Sequence, residues 1–516
     1  MTIKTQPSEV WAEYEKGKSY NNSIKLYDHV DQNENFYIGN QWEGVVAPDL
    51  DKPVLNILKR VTTYMISTLV TDNVGMAITP QDDSEEKKQQ AEILEKEIDK
   101  VVEHTKIISM NRKLLRNACV QGKAYYYNTF DPDTKNIDTE LLECTRVLYG
   151  NPFVNDLQKQ PFILIVQQML LDNVKAMAPK NERDSIKADV DEPWNQDKQT
   201  YGADRTTVLV KMWKENGTVR FLKCTKEVLL KEPTDTGYRS YPLAAFTWEE
   251  MRDSYQGQAA VTGLIPNQIA INKLWAMAIR HQQMAAFPKV VYDRTKMPQG
   301  WSNRVGEAIG VSGNPNDTIA TGIRQPDMSN QVLAVVDSTI NYTKELMGAS
   351  DAALGNVRPD NTSAIIAVQK AAAAPLELQR LAFYQCIEDW VRSVLELICV
   401  HYGVKTVKVE MTDPMTGQTG LVEALFNFDS VNIDQVEWRV DVGASAYWSE
   451  LTQIQTLDNL VGNGILTDAV LYLESIPDEY IKNKNDIIES VRQKQQEQEM
   501  LQQQQMMMQM GGVPVG

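Results

Sequence analysis

Residues 255–402 constrain the fold more than any other part of the chain, because long helical patterns alternate there with short polar and β-like segments. A helix is predicted from Pro266 to about Ala286, since Pro is favoured in the first turn of a helix, and it would be about 30 Å long. A second helix is predicted over residues 329–347. Between the two, residues 287–328 predict three short strands, over 289–292, 308–311 and 318–321, separated by Gly, Pro and Asn.

A polar loop over residues 348–362 follows the second helix and contains Gly355 and Pro359. The next segment, residues 363–402, predicts one very long helix. Pro375 lies inside it and is expected to kink it, because Pro removes a backbone hydrogen bond. Long helices interrupted by a polar loop indicate an ordered part of the protein that lines the path of another molecule or moves it, and not a flexible linker.

The flanking sequence predicts an α+β fold. Helices are expected from Pro53 and over residues 84–118, the latter ending near Gly122. Two strands around Asn216-Gly217 predict a hairpin, since this dipeptide is a strong turn signal.

Strands are also expected over residues 404–442, and helices over 449–490. The Gln- and Met-rich residues 493–510 are of low complexity and predict a frayed helix or disorder.

The composition excludes several classes of protein. The chain has 516 residues and a formal net charge of −17. Such acidity disfavours tight binding of nucleic acid, although a surface past which DNA slides should avoid tight phosphate contacts. The five cysteines are scattered without CxxC spacing, which predicts neither a disulfide framework nor a zinc site and fits a reducing compartment. A polar N-terminus and the lack of a long apolar run predict no signal peptide and no membrane span, hence assembly in the cytoplasm.

The sequence does not match the motifs of nucleotide-dependent or hydrolytic enzymes. Gly122-Lys123 is followed by Ala124, and Asn117 stands where a phosphate-binding loop needs its first Gly. Gly310 begins a GVSG sequence that Asn314 breaks, so there is no nucleophile elbow. The four histidines are far apart and form no metal-binding pair. We therefore expect no catalytic residue, cofactor or metal ion.

The best alternative is a metal-dependent nuclease centred on Asp133, Lys135 and Glu143, with Glu140 nearby. Carboxylates beside a lysine are able to hold Mg²⁺ and orient an attacking water. The simpler interpretation is a turn between strands, because the sequence DPDTKN consists of turn-forming residues.

Four phrases together resemble the portal proteins of tailed bacteriophages. They are residues 37–42 (YIGNQW), 53–57 (PVLNI), 264–273 (LIPNQIAINK) and 358–365 (RPDNTSAI) leading into 371–377 (AAAAPLE). Their order, together with the helix–insert–helix–loop–helix arrangement, carries the resemblance, which covers roughly residues 20–480. The Gln- and Met-rich end is not typical of that family.

The resemblance implies a division of the chain into named parts. The wing would comprise residues 1–255 and 363–448, the stem 256–286 and 329–347, and the clip 287–328. The tunnel loop would be residues 348–362, and a crown with its low-complexity tail would be 449–516.

The resemblance also implies a function and partners. Such proteins form a homo-oligomeric ring, usually of twelve subunits, at one vertex of the capsid in the virion, and assemble in the host bacterial cytoplasm. Double-stranded DNA passes through the ring during packaging and ejection. The terminase motor and the head–tail adaptor dock on the clip, and major capsid and scaffolding proteins surround the ring. Another ring-forming virion connector, such as an adaptor, remains an alternative, although adaptors are usually much shorter.

Candidate functional residues follow from these parts. The stem candidates for lining the channel are Lys273 and Arg280, which lie in a predicted helix without Asp or Glu. For the clip, the candidates that would contact motor or adaptor are Lys289, Arg294, Trp301 and Arg304. In the tunnel loop, the residues expected nearest the DNA are Asn356, Val357, Arg358, Asp360 and Asn361.

Overall fold

The structure is a computed structural model of the 516-residue chain. It describes residues 3–70, 77–80, 84–189, 204–287, 289–302, 310–314, 316–317, 320–323, 330–346, 374–412, 419–431, 436–439, 457 and 472–473. The chain divides into two compact units, residues 1–70 with 76–440, and residues 71–75 with 441–516. All elements described below belong to the first unit.

Nine α-helices are described: α1 Pro7–Ser23, α2 Leu26–Ile38, α3 Ile57–Val70, α4 Glu85–Thr105, α5 Ile107–Gln121, α6 Leu171–Met177, α7 Ala260–Ala286, α8 Asn330–Leu346 and α9 Glu377–His401. The described strands are β1 Ala77–Pro80, β2 Lys123–Asp131, β3 Asn136–Glu143, β4 Val147–Tyr149, β5 Phe162–Leu170, β6 Arg205–Glu215, β7 Thr218–Cys224, β8 Leu229–Asp235, β9 Leu243–Thr247, β10 Val290–Tyr292, β11 Ala320–Gly322, β12 Val404–Thr412, β13 Thr419–Asn427 and β14 Val436–Arg439. The predicted α+β class is confirmed.

A five-stranded antiparallel sheet, in the order β4-β5-β6-β7-β8, forms one layer. Successive side chains of a strand point to opposite faces. Leu209 of β6 therefore packs with Val10 and Tyr14 of α1 on one face, while Val208 packs with Val174 of α6 on the other. Because both faces are covered, the central strand β6 is buried from Thr206 to Trp213.

A three-stranded antiparallel sheet, in the order β3-β2-β9, forms a second layer, and α9 packs across it. The Phe383 ring of α9 meets the Phe246 ring of β9 edge to face, with centroids 6.0 Å apart. The Trp390 indole N–H donates a hydrogen bond to the Thr139 hydroxyl over 3.1 Å. These contacts leave Trp390 and Phe383 almost fully buried, so α9 is held by both its apolar and its polar groups.

The predicted hairpin at Asn216-Gly217 is confirmed. It joins β6 to β7, and both turn residues have positive φ, 55° for Asn216 and 86° for Gly217. Positive φ at both central positions is the signature of the tight turn that matches strand twist. Paired strands β12 and β13 likewise confirm the strands expected after residue 404.

The prediction of one helix over residues 84–118 is wrong, since two helices occupy that region. Helix α4 ends at Thr105, Lys106 adopts a left-handed backbone with φ 53°, and α5 starts at Ile107. The apolar period continues across Lys106 and so hides the break from the sequence. The end expected near Gly122 is confirmed, because Gly122 has φ 98° and follows the last residue of α5.

Two predicted helix starts are also wrong. Helix α3 starts at Ile57 and not at Pro53, and α7 starts at Ala260, with Pro266 inside it. Pro favours the first turn of a helix, which is why the sequence predicts both starts at Pro. Pro266 lies on the exposed side of α7, where a helix tolerates the loss of one backbone hydrogen bond most easily.

Pro375 lies in a 3₁₀ turn, Ala374–Leu376, immediately before α9. The described α-helix therefore begins after this Pro, whereas the sequence predicts a kink inside a helix. Residues 363–373 lie outside the described part, as do the predicted tunnel loop 348–362, the predicted crown except for three residues, and the Gln- and Met-rich end. Among the described helices, none has the length and apolarity needed to cross a bilayer.

Gly122 and Gly257 bring two backbone segments into close contact at the edge of β2. A Cβ atom on Gly122 would lie 2.2 Å from the Gly257 carbonyl oxygen. The Gly122 carbonyl in turn accepts a hydrogen bond from the Trp248 N–H over 2.9 Å. Residue 122 therefore needs both a left-handed backbone and an empty Cβ position.

We expect Gly122→Ala to destabilise the protein strongly. The left-handed backbone costs about 1–2 kcal/mol for Ala, and the clash with Gly257 adds about 1–3 kcal/mol. Gly217→Ala is the matched control, because its φ is also positive but no atom lies within 4 Å of the added Cβ. Urea unfolding of both variants tests this, and equal losses of unfolding free energy would contradict it.

Candidate functional site

Helices α7 and α8 form an antiparallel helical hairpin with the β10-β11 insert at its turn. The Asn267 amide, near the start of α7, donates a hydrogen bond to the Thr343 hydroxyl, near the end of α8, over 3.1 Å. Val336 and Thr343 of α8 are buried. Since α7 has 27 residues, it is about 40 Å long. The hairpin contains the two helices that the sequence predicts on either side of residues 287–328, and the second helix matches its predicted bounds to within one residue.

The exposed stripe of α7 carries the two predicted channel-lining cations. Lys273, Met277 and Arg280 are all exposed and follow the i, i+4, i+7 spacing of one helix face. Lys273 and Arg280 are therefore about 10 Å apart along the helix. Helix α7 contains no Asp or Glu, so nothing within the helix neutralises this stripe.

The insert confirms two of the three predicted short strands. Strands β10 and β11 pair antiparallel, with Val291 opposite Thr321. The Lys296 ammonium lies 3.7 Å from the Asp317 carboxylate, and the Lys296 carbonyl accepts the Ser312 N–H. Met297 is buried beneath them. The insert is thus a small folded unit. Of the third predicted strand, residues 308–311, the first two residues lie outside the described part and the last two are not in a strand.

The predicted clip residues are spread over the insert's surface. Lys289, Arg294 and Trp301 are exposed, and Arg304 lies outside the described residues. The five tunnel-loop candidates, Asn356, Val357, Arg358, Asp360 and Asn361, also lie outside them.

Gln268, on the buried face of α7, binds the start of α3. Its Oε1 accepts the backbone N–H groups of Ile57 and Leu58, over 3.1 Å and 3.2 Å. Its Nε2 donates to the Leu55 carbonyl over 2.6 Å. The first N–H groups of a helix have no partner within the helix, so Gln268 caps α3 from another element.

Asn272, one turn further along α7, extends this set of buried amides. Its Oδ1 accepts from Gln268 Nε2 over 3.0 Å, and its Nδ2 donates to Gln41 Oε1 over 2.6 Å. The Gln41 Nε2 in turn donates to the Phe36 carbonyl over 2.9 Å. All three amides are at most 7% exposed. We call Gln41, Gln268 and Asn272 the amide cluster.

Three of the four phrases that carry the resemblance meet at the amide cluster. Gln41 belongs to residues 37–42, the backbone groups bound by Gln268 belong to or adjoin residues 53–57, and Gln268 and Asn272 belong to 264–273. Segments more than 200 residues apart in sequence therefore form one site. The fourth phrase lies mainly outside the described residues.

Helix α8 has apolar side chains that no described residue covers fully. Leu333, Val335 and Tyr342 are 38%, 51% and 65% exposed. On the insert, Val291 and Ile323 are similarly exposed. Val335 and Tyr342 are seven residues apart and so lie on one face of α8, and neighbouring exposed apolar side chains mark an interaction site more often than isolated ones do.

The residues of the nuclease alternative do not come together. Asp133 and Lys135 lie in the turn between β2 and β3, as the simpler interpretation predicts. Glu143 pairs with Ala124 at the other end of the hairpin, about 25 Å away along the strand. In the described part of the chain, no group of three or more His, Cys, Asp or Glu is arranged to hold a metal ion.

The described histidine contacts are structural. His401 stacks on Phe130, with ring centroids 4.2 Å apart, and its Nε2 is 2.5 Å from the Tyr238 hydroxyl. Burial lowers the pKa of His401 below its ordinary value. His104 lies 3.0 Å from the exposed carboxylate of Asp138.

The sequence contains a signal for the amide cluster, but the helical spacing of the apolar residues alone does not reveal it. Gln268 and Asn272 are polar but fall on the same helix face as Leu264, Ile265 and Ile271, which are buried. A buried polar group must find hydrogen-bond partners, so two amides one turn apart on an apolar face indicate a buried contact. The sequence-based candidates did not include them.

No protein-family model matches the sequence, and no curated protein matches it.

We expect Gln268→Ala to destabilise the protein by about 1–3 kcal/mol, because it leaves the buried Leu58 N–H without an acceptor. Gln282→Ala is the matched control, since Gln282 is exposed on the same helix. Urea denaturation monitored by circular dichroism gives both values. A Gln268→Ala variant as stable as the Gln282→Ala variant would contradict the capping role.

Proposed function

We propose that the chain is the portal subunit of a tailed bacteriophage. Copies of it would form a ring at one capsid vertex of the virion, with DNA passing through the centre. The helical hairpin would be the stem and the β10-β11 insert the clip. The observation that carries the proposal is this hairpin with a folded insert at its turn, fixed at its base by the amide cluster.

The exposed apolar residues of α8 and the insert support assembly into a ring. When one surface of a subunit binds a different surface of the next copy, the copies form a closed ring if the rotation between neighbours is a whole fraction of a full turn. Val335 and Tyr342 would be buried against the next copy. We expect twelve copies from the family resemblance.

The charges fit a passive conduit. A net charge of −17 disfavours tight phosphate binding by the chain as a whole. Lys273 and Arg280 supply two cations per subunit along the hairpin. With Arg358 and the other tunnel-loop residues, they would contact the passing DNA. Such a subunit performs no catalysis and depends on a separate motor.

The insert would be the docking site for other proteins of the assembly. Its exposed Lys289, Arg294 and Trp301, together with Arg304, would meet the terminase motor during packaging and the head–tail adaptor afterwards. Major capsid and scaffolding proteins would contact the ring at the capsid vertex. Assembly of the virion would take place in the bacterial cytoplasm.

Sedimentation of the purified chain tests the assembly. We expect a species of many subunits, and we expect the double variant Val335→Asp/Tyr342→Asp to sediment as a monomer with unchanged circular dichroism, since buried carboxylates would oppose the contact. Ile108→Asp is the control, because Ile108 is 68% exposed outside the hairpin. A wild-type chain that is monomeric at high concentration would contradict the proposal.

A further inference from the structure

A cavity of about 700 Å³ lies beside the three-stranded sheet. The start of β2, the end of β9, residues 155–158 and the first turns of α9 form its walls. Among the described residues that line it, Lys123 is the only cation, while Asp156, Glu249, Glu250 and Asp389 supply carboxylates.

The amine of Lys123 is buried and hydrogen-bonded to uncharged groups. Lys123 is only 1% exposed. Its Nζ donates to the Tyr255 carbonyl over 2.7 Å and to Asn155 Oδ1 over 2.8 Å. No carboxylate of the described residues forms an ion pair with it. An ammonium group has three N–H donors, whereas a neutral amine has two and a lone pair, so two acceptors match the neutral form.

Lys211 shows how this protein stabilises a buried ammonium group. It too is 1% exposed, but its Nζ lies 2.5 Å from the Glu13 carboxylate. Buried charges are normally paired in this way. Lys123 and Lys211 therefore form a matched pair with equal burial and different partners.

Groups from several elements face Lys123. The rings of Tyr125 and Tyr149 lie 5.5 Å and 5.2 Å from its Nζ. Asn155 also donates a hydrogen bond to Glu250, over 3.0 Å. Burial lowers the pKa of Lys123 to about 7, although Glu250 and Cys144 act in the opposite direction.

We propose that Lys123 is a nucleophilic amine that forms an imine with a small aliphatic aldehyde entering through this cavity. A desolvated lysine without a carboxylate partner is an activated nucleophile. The Tyr255 carbonyl and Asn155 hold the amine in place. This site does not depend on the proposed assembly of the chain.

The reaction balances without a further reactant. The lone pair of Nζ attacks the carbonyl carbon, and the π electrons move to the oxygen. A proton passes from nitrogen to oxygen to give a carbinolamine. Loss of the hydroxyl group and the remaining nitrogen proton as water leaves the C=N bond.

Reductive trapping on the full-length chain tests the proposal. Propanal with sodium cyanoborohydride converts an imine into a stable propyl-lysine, and peptide mass spectrometry gives the initial labelling rate of each lysine as a function of pH. We expect the Lys123 rate to level off above about pH 7, while exposed lysines continue to gain roughly tenfold per pH unit toward their ordinary pKa. At neutral pH, we expect Lys211 to react at least about tenfold more slowly than Lys123.

Two results would overturn the proposal. One is that Lys123 stays unlabelled while exposed lysines react, and the other is that its pH profile parallels theirs. The variant Ala382→Leu, which narrows the cavity from α9, should slow labelling of Lys123 alone without lowering the melting temperature. Leu381→Ala, at an exposed neighbour, should leave it unchanged. Unchanged Lys123 labelling in Ala382→Leu would also count against the proposal, because the aldehyde would then not enter through the cavity.

Discussion

Gln268 of α7 holds the first two N–H groups of α3 and the carbonyl just before them, and Asn272 links the same helix to Gln41. These amides lie between apolar side chains, where a broken hydrogen bond is not replaced by one to water. They therefore fix the rotation of α7 about its own axis, and its position along that axis, relative to α2 and α3. Apolar packing alone is less selective, because apolar side chains accommodate small shifts along a helix.

Because the amide cluster anchors the first half of α7, the second half of the hairpin is left to contact other molecules. Gln268 and Asn272 lie in the first half of the helix. The second half carries the Lys273–Arg280 stripe and leads to the insert. The base is thus anchored by buried polar contacts, and the distal part presents charged and apolar side chains outward. A rigid base with an exposed distal part fits the stem of the proposed ring, since each subunit must present the same surfaces to its neighbours.

Sequence reasoning identified the two helices of the hairpin, two short strands of the insert and the Asn216-Gly217 turn, because periodicity and turn chemistry are local signals. It misplaced the starts of α3 and α7, because Pro53 and Pro266 carry a strong local preference that tertiary packing overrides. It missed the break at Lys106, where a non-glycine residue takes a left-handed backbone within a continuous apolar pattern. The amide cluster and the Lys123 cavity join segments far apart in the chain, and a single sequence does not reveal which distant residues meet.

A three-dimensional reconstruction of the purified chain by electron microscopy tests the central claim most directly, namely that the α7–α8 hairpin lines the channel of a ring. The account predicts closed rings in which the hairpins surround the central opening and the Lys273–Arg280 stripe faces the axis. A ring with the hairpins on its outer rim, or particles that are only single chains, would contradict it.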